Sequence, residues 1–197
     1  ESKVIALTLD DGPMPGYTEE VLRILRQKRV KATFFVTGRE VRKHMKHARM
    51  LVQAGHELGN HSYTHRRMIF KTPGFVKREI LETSQAIRET GYKGSLHFRP
   101  PYGKKLFTLP WFLSSQGMKT IMWDLEPESY GEIAQDPRKI LKYVLAQAKP
   151  GSILLMHVMF RTRGASRKAL PLLIDGLRKK GFRFVTVSEL LSYQRKG

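Results

Sequence analysis

The sequence predicts an α/β fold with a mostly parallel sheet, closing as an incomplete or distorted barrel. Two observations point to it. Seven short β-rich runs alternate with longer helical patterns along the chain, the order expected of βα units. Polar residues able to do chemistry recur at the C-terminal ends of those runs, the face on which parallel barrels carry their sites. With 197 residues and 41% apolar content the chain can bury one substantial core, so a single domain over residues 1–197 is expected.

In chain order, Val4–Leu9 reads as the first strand. Thr18–Lys28 reads as a helix, with Glu19 and Glu20 in its first turn and Val21, Leu22 and Leu25 as its apolar stripe. Ala32–Val36 is the second strand, followed by a helix over Glu40–Ala54 that stops at Gly55. Glu57–Gly59 is a weak third strand, and Phe75–Thr90 a helix closed by Gly91. Leu96–Phe98 is the fourth strand, Leu109–Gln116 a helix and Thr120–Trp123 the fifth strand. Pro137–Ala148 starts with a proline suited to a first helical turn, and Ser152–Met156 is the sixth strand. Arg167–Lys180 is helical, with Pro171 implying a late start or a kink. Arg183–Val187 is the seventh strand, and Ser188 caps a last short helix.

Composition narrows the function classes. There are no cysteines, which excludes disulfides and thiolate metal sites. No apolar run approaches a membrane span of about 20 residues. The opening at Glu1 reads as a mature or trimmed chain from which a signal peptide has been removed, so export to the periplasm, cell wall or exterior is expected. The net charge of +19 favours a polyanionic partner. The basic residues are spread along the chain and no nucleic-acid motif accompanies them. An anionic extracellular polymer therefore ranks above nucleic acid. A monomer is the default.

Asp10 and Asp11 end the first strand side by side, an arrangement that calls for a metal or an arginine to neutralise it. His61 and His65, four apart after the third strand, would share one face of a helical turn and could reach one metal. Arg99 opens the stiff loop Arg99-Pro100-Pro101-Tyr102-Gly103 and is a candidate cation beside the paired Asp; the N–H groups of Tyr102 and Gly103 could be aimed at a ligand. Asp124 follows the fifth strand and His157 the sixth. One Asp with two His forms the three-ligand set of catalytic zinc, leaving a second Asp as general base and His157 as general acid. That composition suits hydrolysis of an amide or ester.

On these residues the chain resembles the polysaccharide deacetylases, the NodB-homology or carbohydrate esterase family 4 group, over about Val4 to Leu191. Thr8-Leu9-Asp10-Asp11-Gly12 is similar to that family's T-F-D-D-G, and His61-Ser62-Tyr63-Thr64-His65 to its H-[ST]-x-x-[HD]. Arg99-Pro100-Pro101-Tyr102-Gly103 is similar to R-P-P-[YF]-G, and Leu155-Met156-His157 to L-x-H. The resemblance implies a distorted (β/α)7 barrel. It implies Asp10 as general base held by Arg99, and Asp11, His61 and His65 as ligands of zinc, with cobalt or nickel as substitutes. It further implies the Tyr102 N–H at the oxyanion, His157 as the acid for the leaving amine, and Trp123 and Leu155 lining the acetyl pocket.

One segment departs from the pattern. Where the family has D-x-x-D-W, this chain has Glu126-Pro127-Glu128-Ser129-Tyr130. The aspartate that orients the histidine is replaced by Ser129, leaving Asp124 and Glu128 as candidates for its role. The implied activity is deacetylation of N-acetylated sugars in a polysaccharide. Peptidoglycan comes first because of the charge, and chitin or poly-N-acetylglucosamine next. An O-acetyl esterase and a non-catalytic glycan-binding variant are the alternatives.

Overall fold

The computed structural model describes residues 3–103 and 108–193. These group into two compact units, one built from Glu1–Asp10, Gly16–Thr33 and Trp123–Gly197 and the other from Asp11–Pro15 and Phe34–Met122.

The first unit is organised on strand β1, Val4–Asp10, every residue of which is buried. An all-apolar run with Thr8 as its one early polar residue suits a strand covered on both faces. The Thr8 hydroxyl donates to the Leu154 carbonyl at 2.8 Å, so its burial is compensated. Strand β4, Ile153–His157, runs parallel to β1 with Ala6 opposite Ile153 and Asp10 opposite His157. Strand β5, Arg183–Val185, pairs parallel with the start of β1. Around them stand α1 (Tyr17–Gln27), α6 (Gly131–Ala134), α7 (Pro137–Gln147), α8 (Gly164–Lys179) and α9 (Val187–Tyr193). The second unit holds β2 (Thr33–Val36) from Phe34 onward, beside β3 (Glu57–Asn60), with α2 (Gly38–Lys43), α3 (Met45–Gln53), α4 (Pro73–Glu89) and α5 (Thr108–Ser115). The mostly parallel α/β architecture expected from the sequence is present.

Several boundaries differ from the sequence expectation. The helix expected over Glu40–Ala54 is two helices, broken at His44, whose φ of −124° and ψ of 45° are not helical. The fourth and fifth strands shrink to single parallel bridges, Asn60 to Phe98 and Phe98 to Thr120, because the flanking residues do not continue the ladder. Helix α8 starts at Gly164 and continues past Pro171. Seven of its residues, among them Leu170, Leu173, Ile174 and Leu177, are buried, and that packing outweighs the roughly 3 kcal/mol cost of an internal proline. Thr186 rather than Ser188 caps α9: the Glu189 N–H donates to the Thr186 hydroxyl at 3.3 Å, and the Thr186 N–H to the Glu189 carboxylate at 2.7 Å. The run Thr186-Val187-Ser188-Glu189 is thus a capping box.

Candidate active site

The second unit assembles a cluster of two imidazoles and a carboxylate. The Asp11 N–H donates to the Phe35 carbonyl at 3.0 Å and the His61 N–H to the Val36 carbonyl at 3.0 Å, so two backbones dock on the end of β2. The ligating atoms of Asp11, His61 and His65 all lie within 4.8 Å of one another. His65 Nε2 is 3.4 Å and His61 Nε2 3.9 Å from Asp11 Oδ1. Tetrahedral ligands with bonds near 2.1 Å stand about 3.4 Å apart, so the cluster is sized for one ion. The tautomer fits as well. His61 Nδ1 lies 2.8 Å from the Arg99 carbonyl, an acceptor only, so Nδ1 carries the proton and Nε2 presents its lone pair on the Asp11 side. The residues present therefore fit a divalent metal.

The two histidines reach this position from a loop, not from the helical turn expected for H-x-x-x-H. Ser62 and His65 adopt φ of 64° and 58°, and Asp11 a φ of 70°. Left-handed backbone at non-glycine residues costs on the order of 1 kcal/mol each and persists only where the surroundings enforce it. The enforcement is visible. Asn60 Oδ1 accepts from the Ser62 N–H at 2.9 Å, and the Ser62 hydroxyl accepts from the His65 N–H at 3.1 Å. The start of α2 donates its Gly38 and Arg39 N–H groups to the Ser62 and Tyr63 carbonyls. A Cβ at Gly38 would collide with the Tyr63 ring and the Thr83 side chain, so this close approach requires glycine.

Glu79 is a residue the sequence reading missed. It lies 3% exposed on the core face of α4, between Val76 and Ile80. One carboxylate oxygen accepts from the Tyr63 and Thr64 N–H groups at 2.9 and 2.8 Å, and the other from the Thr64 hydroxyl at 2.9 Å. Its signal was a charged residue inside an apolar helical stripe. Glu79→Ala would strand three polar groups, each costing about 1–3 kcal/mol when buried. The expected outcome is a lower melting temperature and a metal affinity weakened by about 10–100-fold, checked by melts and zinc titration. Unchanged metal affinity would show that the loop holds itself.

Arg99 is fully buried. Its Nε and Nη2 donate to the Ile121 and Met122 carbonyls at 3.3 Å each, and its guanidinium lies 4.1 Å over the Phe35 ring. It thereby stitches the end of its segment to the next, beyond any role toward Asp10. Tyr102 has a φ of 60°, which breaks the turn Pro101–Gly103. Behind this region, burial lowers the pKa of His97, an effect partly offset by the Glu57 carboxylate 3.9 Å away.

The first unit carries the other candidates. Asp10 and His157 are register partners at the C-terminal ends of β1 and β4. His157 Nδ1 lies 2.7 Å from Glu128 Oε2, which also accepts from the His157 N–H at 2.8 Å. The other oxygen of Glu128 accepts from the Ser166 hydroxyl. Glu128 is thus the carboxylate on His157. Ser129 instead donates to Glu126 at 2.7 Å, and Trp123 Nε1 donates to the same oxygen at 3.0 Å. Asp124 accepts from the Ser152 hydroxyl and the Ile153 N–H, which ties it to the entry of β4, four residues before His157. Leu155 is 1% exposed on β4, two residues before His157. Arg167 is buried; it donates to the Val158 and Phe160 carbonyls and pairs with Glu20 at 3.0 Å.

A sequence profile described as polysaccharide deacetylase matches residues 1–121, more than half of the chain. The chain belongs to the polysaccharide deacetylase family. Among its family relatives, a peptidoglycan-N-acetylglucosamine deacetylase of Bacillus cereus is 34% identical over 98% of this chain and 90% of its own length. A chitooligosaccharide deacetylase of Bradyrhizobium sp. is 32% identical over 96% of this chain and 91% of its own. The structure of a BA3943 mutant, described as a carbohydrate esterase family 4 pseudoenzyme with restored enzymatic activity, superposes with a TM-score of 0.88 at 31% identity, covering 97% of this chain and 68% of that one. The deacetylase fold, a distorted (β/α)7 barrel, is therefore that of this chain.

Proposed function

We propose that the chain is a metal-dependent deacetylase that hydrolyses N-acetyl groups on the sugars of a polysaccharide. The observation carrying this reading is the Asp11, His61 and His65 cluster with its tautomer set by the Arg99 carbonyl. A divalent ion there, zinc by the chemistry of the donors, supplies Lewis acidity toward the acetamide carbonyl and the attacking water. The chain's own residues divide the proton chemistry. Asp10 accepts the proton of the water as it attacks. The Tyr102 N–H donates to the oxyanion, a kind of donor whose loss typically costs about 10²–10³ in rate. His157, steadied by Glu128, passes a proton to the departing amine. The products are acetate and a free glucosamine-type unit.

Peptidoglycan is the first substrate class. Its carboxylates suit a chain of net charge +19, and the Bacillus cereus relative carries that activity in its name. A neutral chitin-type oligomer, named for the Bradyrhizobium relative, is second. Such polymers lie outside the cytoplasm, so the reading includes an exported protein. Glu128 on His157 speaks against the non-catalytic alternative that Ser129 raised. Mass spectrometry of peptidoglycan and chitooligosaccharides after incubation with the zinc-loaded protein is expected to show acetyl loss with matching acetate release. Intact acetyl groups on both would refute the reading.

A further inference from the structure

The stretch between the second metal-ligand candidate and α4 is not used by the chemistry above. It reads Arg66-Arg67-Met68-Ile69-Phe70-Lys71-Thr72. Met68, 1% exposed, packs into a cluster with Val76, Ile80, Phe98 and Leu113 and so pins the middle of the stretch. Residues on either side of this anchor are turned outward: Arg66, Arg67 and Lys71 are exposed, and Phe70, at a φ of 52°, is 89% exposed. Exposing a large aromatic among cations serves no packing purpose.

Arg67 has a defined place. Its guanidinium lies 5.4 Å over the Tyr102 ring, whose centroid is 5.0 Å from that of His65. The cation is therefore one ring removed from a metal-ligand candidate. Tyr102 is 56% exposed, so the ring still offers surface to a ligand. Among the described residues no carboxylate lies within ion-pair distance of Arg67. A guanidinium placed over an aromatic ring beside a site, with no carboxylate partner among the described residues, keeps its N–H donors available to a ligand.

We infer that Arg67 binds a carboxylate of the glycan while Tyr102 offers its ring to the sugar, making this stretch the element that selects anionic over neutral N-acetylated chains. The inference rests on the deacetylase reading for the orientation of the substrate, and it deepens that reading by locating the charge recognition on one side chain. The general positive field attracts any polyanion; Arg67 distinguishes by position. An Arg–carboxylate contact is bidentate and charge-assisted, and its partner can be a lactyl group on the sugar or the peptide attached to it.

Binding tests this without relying on turnover. The probes are chitotetraose, a peptide-free tetrasaccharide of alternating N-acetylglucosamine and N-acetylmuramic acid, and the same tetrasaccharide with the lactyl groups amidated by short acidic peptides. Calorimetric Kd values for the wild-type protein are expected to favour a carboxylate-bearing probe over chitotetraose by about five- to tenfold. Whichever anionic probe gains identifies the carboxylate. Arg67→Ala is expected to collapse that ratio toward one, and Arg67→Lys to restore part of it. Arg138→Ala, which removes an exposed cation from the other unit, is expected to leave the ratio intact and so controls for net charge. Equal wild-type affinities, a ratio that survives Arg67→Ala, or a ratio lost equally in Arg138→Ala would overturn the inference. Acetate release is measured on the same samples. An inert protein with an Arg67-dependent preference would sink the deacetylase reading and leave this binding site standing.

Discussion

Asp11→Ala and His61→Ala are each expected to abolish tight zinc binding and to lower acetate release by about 10³-fold or more. Lewis-acid stabilisation contributes several kcal/mol to the transition state, and each 1.36 kcal/mol is a factor of ten. With 3.4 and 3.9 Å separating its oxygen from the two imidazoles, Asp11 is the member common to both contacts. Its removal leaves two histidines whose rings stand 4.9 Å apart with no anion to offset the ion's charge. His61 is the more rigid of the pair, 2% exposed and bonded through Nδ1 to a backbone carbonyl, so His61→Ala also opens a buried space. Melting curves separate the two effects. Asp11→Ala should keep the apo melting temperature while losing the zinc-induced rise; His61→Ala should lower both. Full activity in either variant with zinc present would remove the cluster from the reaction.

The sequence made this cluster legible because each ligand sits at the end of a short apolar run, and such ends are where an α/β chain turns. Its means of support were less legible. H-x-x-x-H spacing suggested a helical turn, yet His61 and His65 meet through left-handed residues held by Asn60, Glu79 and the start of α2. Those partners come from residues 38 to 79, and backbone hydrogen bonding at that separation leaves no local spacing to read. The strand expectations failed for a related reason. Leu96–Phe98 and Thr120–Trp123 have strand composition, but only Phe98 and Thr120 find a bridge, because pairing depends on what lies alongside. The segment Glu126 to Tyr130 shows the opposite case. Aligning residue types placed a serine where a carboxylate was needed, and the fold supplies the carboxylate from the adjacent position. The turn Pro127–Ser129 points Glu128 at β4 while Ser129 faces Glu126.

Glu128→Gln is expected to lower kcat by about 10–10², and His157→Ala by about 10²–10⁴, the range typical of a positioned acid or base. The glutamate side chain is 2% exposed and accepts from the His157 N–H, from its Nδ1 and from the Ser166 hydroxyl. It therefore fixes the ring's orientation, holds the Nδ1 proton, leaves Nε2–H to face the substrate, and stabilises the imidazolium that the acid role requires before its proton passes to the amine. Glutamine keeps the shape and can accept one of these bonds but supplies no charge. If Glu128 acts through His157, the double variant should be no slower than His157→Ala alone, since two residues working as a unit do not add. Ser129→Ala should leave kcat essentially unchanged, because its hydroxyl is bonded to Glu126. KM for the glycan should stay near the wild-type value in Glu128→Gln, which a general loosening of the unit would not allow, and melting curves confirm that the assays run on folded protein. Additive losses in the double variant, or a Ser129→Ala defect equal to that of Glu128→Gln, would return the positioning role to the residue that the family pattern marks.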